Sequence, residues 1–487
     1  MSIKSSLISR RLCLLLIALS FVISRCIYYW MGVHFYTAPL SFYWQIIDPV
    51  LLRDDPWRSL FYLRSQLPGF NLYIGVIMHL FPRHFLDVAH ATYLGLGLAL
   101  GICLFLLLDR LRLSRPVAFL IAVVSMINPV TVLYENWLFY EYPIAVLFCV
   151  SALFLHRYAQ SQDRIDGLLL FTSLACIALL RVIFHLMWFW MIAAVLIYVL
   201  PRCRRRTALC AVAPGALLAL IYVKSFILFG LWMPGSDVFG AINLATMAAH
   251  SLTPDVVRSA AANGTVSPIL LYFPHLEDQT LLQVAPIPPK TGIRILDERL
   301  KSTGAINMDS LWMAAIGRQL HQDGLVLARS YPKAVLTTLW RNVERFFLPA
   351  DANWPFDGTQ QSNRQVLGPL LAAYDLAVSG KLPGHRYSFI SWLALPCLFW
   401  FGLRRSARWL KRAIRKPYAS PRDLTIVFAF GNTAYLSAVI ILSVHMDQNR
   451  YLFEVFPLFA ILLGTLLVYL AWRFPAWQKR ILRFRKA

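Results

Sequence analysis

Apolar runs long enough to cross a bilayer recur along most of the chain, separated by short polar loops. A helical span needs about 20 apolar residues to cross a hydrocarbon core of about 30 Å. The pattern predicts spans at 12–30, 87–108, 116–134, 137–155, 166–183, 184–200, 207–231, 386–403, 424–444 and 452–472. The pairs 116–134 with 137–155 and 166–183 with 184–200 are nearly continuous and read as tight hairpins of spans. One stretch resists this reading. Residues 67–81, inside RDDPWRSLFYLRSQLPGFNLYIGVIMHLFP (53–82), are apolar but as a helix would rise only about 22 Å.

Basic residues decide how that short stretch is threaded. They concentrate in DRLRLSR (109–115), HRYAQSQDR (156–164), PRCRRR (201–206), RRSARWLKRAIRKPYASPR (404–422) and the tail RFPAWQKRILRFRKA (473–487). If 67–81 does not cross and the N-terminus is cytoplasmic, every one of these loops faces the cytoplasm, as the positive-inside bias requires. If it crosses, all of them lie outside. The expectation is therefore a multi-pass cell-membrane protein with both termini cytoplasmic. Segments 31–86, 232–385 and HMDQNRYLFEVFP (445–457) would lie outside.

Three regions follow. Residues 1–231 form an N-terminal transmembrane module with its first outer loop at 31–86. Residues 232–385 form a partly helical outer loop domain, and 386–487 the C-terminal transmembrane helices and basic tail. Within the outer loop, 309–330 and 331–347 carry helical patterns. The second sets Val335, Leu336, Leu339, Val343, Phe346 and Phe347 against Lys333, Arg341, Asn342 and Arg345, the signature of an interfacial helix.

Composition agrees. The chain is 58% hydrophobic and only 15% charged, where soluble domains run near 25% charged. The fold class expected is an all-α polytopic membrane protein with about ten transmembrane helices, outer juxtamembrane helices and one large outer loop. The excess of 47 Lys+Arg over 24 Asp+Glu is topology charge, not the footprint of a nucleic-acid partner. The eight cysteines show no metal-type spacing and none lies in 211–396, so they read as small apolar residues. Lys4, Arg10 and Arg11 precede an apolar run as in a signal peptide. Bulky Tyr28, Tyr29 and Trp30 replace a small-residue cleavage site, so the run reads as a retained first span.

Ionisable residues then stand out by position. Arg25, Asp48, Asp54, Asp55, Glu135, Glu141, Arg181, His185, Asp447, Arg450 and Glu454 all fall near the outer ends of the threaded spans. Interfacial anchoring accounts for any single one, but a ring of both signs at one level is what a site at the outer rim requires. Asp48, in WQIIDPVLLRDDP, suits a general base that takes a proton from an attacking hydroxyl or amine, with Asp54 second. Asp48 and Asp55 each precede a proline in the manner of a helix cap; Asp55 reads best as a cap, and Asp54 fits either role. Arg181 and His185 stand four apart, on one face of a helix, and Arg181 and Arg450 are candidates to clamp a phosphate. A salt bridge with Glu135, Glu141 or Glu454 is the plainer role for these arginines. No paired ligand spacing marks a metal site, and no cofactor is assigned.

The order of these features resembles bacterial members of the GT-C glycosyltransferase superfamily, the group with protein O-mannosyltransferase-like and aminoarabinose transferase-like membrane proteins. The residues that carry the resemblance are the acidic first outer loop, SQLPGFNLYIGVIMHLFP, NPVTVLYENWLFYEYP (128–143) at an outer turn, WRNVERFFLP, and RYLFEVFPLFAILLG in the last span. It covers most of 1–230 and 386–472. The resemblance implies a sugar moved from a polyprenyl-phosphate-linked donor to a cell-envelope glycan, lipid or protein, among membrane lipids. It makes Asp48 or Asp54 the base. Arg181, His185, Arg450, Glu135, Asn449 and Tyr451 become the substrate-binding candidates. Two departures stand in the sequence: SQLPG (65–69) replaces a His-Pro-Pro-like element, and Asp48 adjoins Pro49 instead of a second acid. A transporter would hold its charges nearer the midplane, on broken helices. A non-catalytic scaffold would use 232–385 as an interaction domain and tolerate loss of the loop aspartates.

Overall fold

The computed structural model describes the chain except residues 1–8, 273–284, 286, 353–361, 383–386, 417–419, 444–447 and 485–487; Asp447 lies outside the described residues. Those described form helices and connecting loops with no β-strand. Five helices are long and apolar enough to cross a membrane: α1 (Arg10–Trp30), α4 (Phe85–Arg110), α7 (Glu141–Ser161), the stretch Pro201–Phe229 that contains α10 (Arg204–Phe229), and α16 (Pro421–Ser443). Two bent pairs raise the count to seven if each is one span. They are α5 (Arg115–Ile127) with α6 (Pro129–Glu135), bent 53°, and α17 (Gln448–Glu454) with the start of α18 (Phe456–Phe484), bent 66°.

Local chemistry sets many of the boundaries. Ser9 accepts from the Leu12 N–H and starts α1, and Asp163 accepts from Ile165 and Asp166 and starts α8 (Arg164–Leu180). Gln162 and Gly230, both left-handed, close α7 and α10. Asn128, followed by Pro129, is the C-cap of α5 and the N-cap of α6, accepting from Thr131 N–H, so the expected continuous span 116–134 is broken there. The expected spans 166–183 and 184–200 become α8, which stops at Leu180, and the 14-residue α9 (Leu186–Val199). The expected 386–403 is the apolar part of α15 (Phe389–Arg415), whose second half carries the basic run. The doubtful 67–81 is α3 (Gly69–Leu80), a 12-residue helix too short for a straight crossing.

Helix α7 is central: 72% of its apolar window is buried, against 17% for α1 and for Pro201–Phe229. The latter two present Leu15, Leu19, Leu209, Leu220 and Ile227 outward, as lipid-facing helices do. The helix assembly has two unlike ends. At one, the basic loops pair with few acids: Arg10 and Arg115 with Asp109, Arg157 with Asp166 and Arg405 with Asp423.

At the other end, the described residues of 31–86 and 232–382 fold together as a cap with its own apolar cluster around Val238, Ile242, Met308, Trp312, Ile316 and Leu320. Asp309 accepts from the Arg64 and Ser65 N–H groups, and Arg64 pairs closely with Asp237. At Gly317, in α12 (Leu311–Ser330), a side chain would collide with the Asp237 carbonyl, so glycine lets α12 press against that turn. Lys224 Nζ, from α10, donates to Leu63 O at 2.9 Å and ties the cap to the helices.

Candidate functional site

Two buried ion networks sit at the cap end. In the first, Arg25 of α1 forks onto Glu135, the last residue of α6, with Nε–Oε1 at 2.7 Å and Nη2–Oε2 at 2.5 Å. Tyr142 donates to the same Glu135 at 2.8 Å, and Glu135 is wholly buried. Gly97 of α4 makes the room, since a side chain there would run into Glu135, Phe21 and Tyr142.

The second network joins three elements. Arg181 follows the end of α8 in an extended conformation and pairs with Glu454 of α17 and with Glu141 at the start of α7. Arg450 Nε lies 3.5 Å from the same Glu141 Oε1. The Tyr451 ring stacks under Arg181 at 3.7 Å, with Tyr140 at 5.0 Å. All four charges are at least 96% buried. Two arginines and two glutamates at such burial are costly to desolvate, and breaking one pair leaves its partner far more costly still. Among the described residues no hydrogen-bond donor is aligned on Glu141 Oε2 or Glu454 Oε2.

The sequence-derived candidates divide accordingly. Arg181, Arg450, Glu135 and Tyr451 enter the networks. Asn449 acts beside them, donating to Pro349 O at 2.6 Å and Ala352 O at 2.7 Å, and so fastens the cap segment 349–352. His185 does not join. The chain leaves helical geometry between Leu180 and Leu186, so Arg181 and His185 share no helix face, and the His185 ring meets Tyr435 edge-on instead.

The two base candidates stand apart from the networks in their bonding. Asp48 is buried and caps α2 (Pro49–Asp54) through Val50 N–H at 2.9 Å. It also accepts from Ser302 N and Ser302 Oγ, both at 2.6 Å. Asp55, expected to cap, holds the cap position of Pro56–Phe61 without a side-chain bond. Asp54 is open to solvent and bonds Arg53 at 2.8 Å, which lowers its pKa below the usual carboxylate value. Beside Asp48, Lys301 is buried with Nζ donating to Tyr43 O at 2.6 Å; burial lowers its pKa to about 8.

Sequence reading missed a third feature, the carboxyl pair Asp351–Asp375 in the cap. Asp351, ahead of α14 (Ser362–Ser379), and Asp375, within it, are buried as neighbouring, interacting carboxyls, with Arg364 Nη2 3.1 Å from Asp351. Burial and the neighbouring Asp351 charge raise the Asp375 pKa to about 8. Residues 24 apart in a loop and a helix give no motif, so no sequence signal marked them.

Cavities open elsewhere, on two sides of α13 (Pro332–Phe346). One of about 340 Å³ is lined by His250, Arg341, Glu344, Arg345 and Leu348. Another of about 300 Å³ is lined by Trp340, Glu344, Tyr387, Phe389 and Trp392. Neither is lined by Asp48, Asp54, Arg181 or Arg450. No group of three or more His, Cys, Asp or Glu able to hold a metal ion occurs among the described residues. No family model matches this chain, and no curated protein or solved structure matches it.

Proposed function

We propose that this protein is a membrane glycosyltransferase of the GT-C kind. It would move a sugar from a polyprenyl-phosphate donor to a cell-envelope acceptor at the outer face of the membrane, through about ten crossings with the cap outside. The observation that carries the reading is the pair of buried ion networks, Arg25–Glu135 and Arg181–Glu141–Glu454–Arg450, gathered beneath a folded cap at one end of an apolar helix assembly. Charges held at such a place mark function more often than stability. The segregation of basic loops at the opposite end supports a cytoplasmic location for them.

In this reading the arginines stabilise the departing phosphate, the largest demand such a transfer makes. An aspartate of the first outer loop takes the acceptor proton. Asp54 is the accessible acid, whereas Asp48 would act only after releasing Ser302. Mass analysis of polyprenyl-phosphate sugars in cells lacking the protein tests the proposal: one lipid-linked sugar should accumulate. Complementation with Asp48→Asn and Asp54→Asn then separates the two acids, and full activity in both would remove the base assignment.

A second reading rests on the breaks. Glu135 and Glu454 each end the short half of a bent helix pair, and transporters place binding groups at such discontinuities. Uptake of a solute by proteoliposomes, lost in Glu454→Gln and unaccompanied by any change in lipid-linked sugars, would favour it.

A further inference from the structure

Helix α13 docks at one end of an apolar helix long enough to cross a membrane. Its Asn342 Nδ2 donates to Ile441 O at 3.0 Å, near the last turn of α16, so the helix is docked at the level where that apolar span ends. The amphipathic reading set Leu336 on the apolar face of an interfacial helix and Asn342 on its polar face. Thr338, Asn342 and Phe346 are buried, while Leu336 and Trp340 are 65% and 58% exposed. The seam Thr338–Asn342–Phe346 thus holds the helix to the protein and an apolar one faces away. That apolar seam continues into α15 through Phe389 and Leu393, 55% and 72% exposed. A tryptophan at the end of a lipid-facing stripe is the usual marker of the headgroup level.

On the other flank of the same helix is the 340 Å³ cavity, lined among the described residues by His250, Arg341 and Arg345 with the acid Glu344 and by Leu348. Arg341 Nη1 also lies 3.4 Å from Ser251 Oγ, which brings a hydroxyl to the cavity wall. Burial and the Arg345 and Arg341 charges lower the His250 pKa, as expected where the local potential is positive. A pocket this size takes a phosphate with its ester oxygens, and the fork of an arginine matches two phosphate oxygens at once.

We propose that His250, Arg341 and Arg345 bind the phosphate of an anionic membrane phospholipid, whose acyl chains lie along Trp340, Phe389 and Leu393. The site is a lipid anchor on the cap and is independent of whether the chain transfers a sugar. It would fix α13 at the surface, and through Asn342 the end of α16.

Native mass spectrometry of the purified full-length chain tests this, with phosphatidylglycerol, phosphatidylcholine and inorganic phosphate titrated separately. Phosphatidylglycerol should be retained in preference to phosphatidylcholine. Arg341→Ala and Arg345→Ala should each weaken that retention about fivefold, the effect of one basic residue near a charged lipid surface, with phosphatidylcholine unchanged. Trp340→Ala should weaken both lipids alike. If either alanine variant fails to purify as a monodisperse protein, Arg341→Lys and Arg345→Lys serve in its place. Each should keep the lipid preference while losing part of the affinity. Equal retention of the two lipids, indifference to the arginine substitutions, or displacement of phosphatidylglycerol by equimolar inorganic phosphate would each overturn the proposal.

Discussion

The Asp351–Asp375 pair should make the cap weaken as pH rises, and the effect can be assigned to one proton. Asp351 and Asp375 are 1% and 7% exposed, and no backbone or side-chain donor among the described residues is aligned on Asp351 Oδ1 or Asp375 Oδ1. Two carboxylates in that setting cannot both be charged, so the pair keeps one proton. Among the described residues, few charged and titratable groups surround it. Arg364 and Lys381 offset the negative charge, and Tyr374 lies against the pair. Tyr134, from α6, donates to the adjacent Ala350 O, and His34 bonds Asn363 at the start of α14.

Moving Asp375 from its ordinary 3.8 to about 8 sets a ceiling on the order of 5 kcal/mol. The sign follows from proton binding. Between pH 4 and 8 the folded chain holds a proton that the unfolded chain has released, so stability is full below about pH 4 and falls until about pH 8. The steepest slope is about 1.4 kcal/mol per pH unit. Asp375→Asn supplies a permanent donor to Asp351 in the same shape and removes the titration. Thermal unfolding of the purified chain from pH 5 to 9 reads the effect, with hydrogen exchange over 362–379 locating it. The wild type should lose stability and protection in 362–379 across that range, and the variant should stay flat and be the more stable of the two at pH 8. Parallel pH profiles for wild type and variant would refute the shared proton.

Other consequences can be checked on the same preparation. Arg25→Ala should destabilise by about 3–5 kcal/mol because it strands Glu135, whereas Arg25→Met combined with Glu135→Leu should recover most of the loss; thermal unfolding measures both. Gly97→Ala should cost about 1–3 kcal/mol by forcing a methyl against Glu135 and Phe21. Ser302→Ala should speed proteolysis near 299–304 by removing one of the donors that Asp48 accepts, while Asp54→Asn should leave the cleavage rate unchanged. Lys301, lowered to about 8, acts with the opposite sign to Asp375. Its stability term grows as pH rises from about 8 to 10.5 and is lost as pH falls through 8. Lys301→Met should flatten the unfolding profile in that window.

What the sequence made legible was periodic or local. The apolar runs anticipated the long helices α1, α4, α7, α10 and α16, and Asn128–Pro129 carried the signal for the break between α5 and α6 even though it was read through. What it hid was set by distant partners. Nothing in LLRVIFHL ends a helix; Arg181 is drawn out of α8 by Glu454 and Glu141, residues far along the chain. Asp48 and Asp55 both precede proline, yet only Asp48 caps. The backbone at Asp55, with φ −142° and ψ 58°, bonds through no side-chain oxygen, while Ser302 holds Asp48 in place. The burial of Asn342 in α13 went unseen for a like reason. The end of α16 offers its side chain the Ile441 carbonyl, a partner that hydrophobic periodicity does not register.

The positions of Glu135 and Glu454 argue that the rim networks were kept for something other than stability. Each glutamate is the last residue of its helix, where the carbonyl ends already carry partial negative charge and an acid is unfavourable by about 0.3–1 kcal/mol. Local preference favours lysine or glutamine at both places. Arg25 and Arg181 reverse the balance only by entering the apolar assembly themselves, at a desolvation penalty of several kcal/mol per ion. The same conflict is therefore resolved in the same way twice, at two helix breaks on one end of the molecule. Conflicts between local rules and the fold gather at functional places, and here a single chance substitution would account for one of them but not for both.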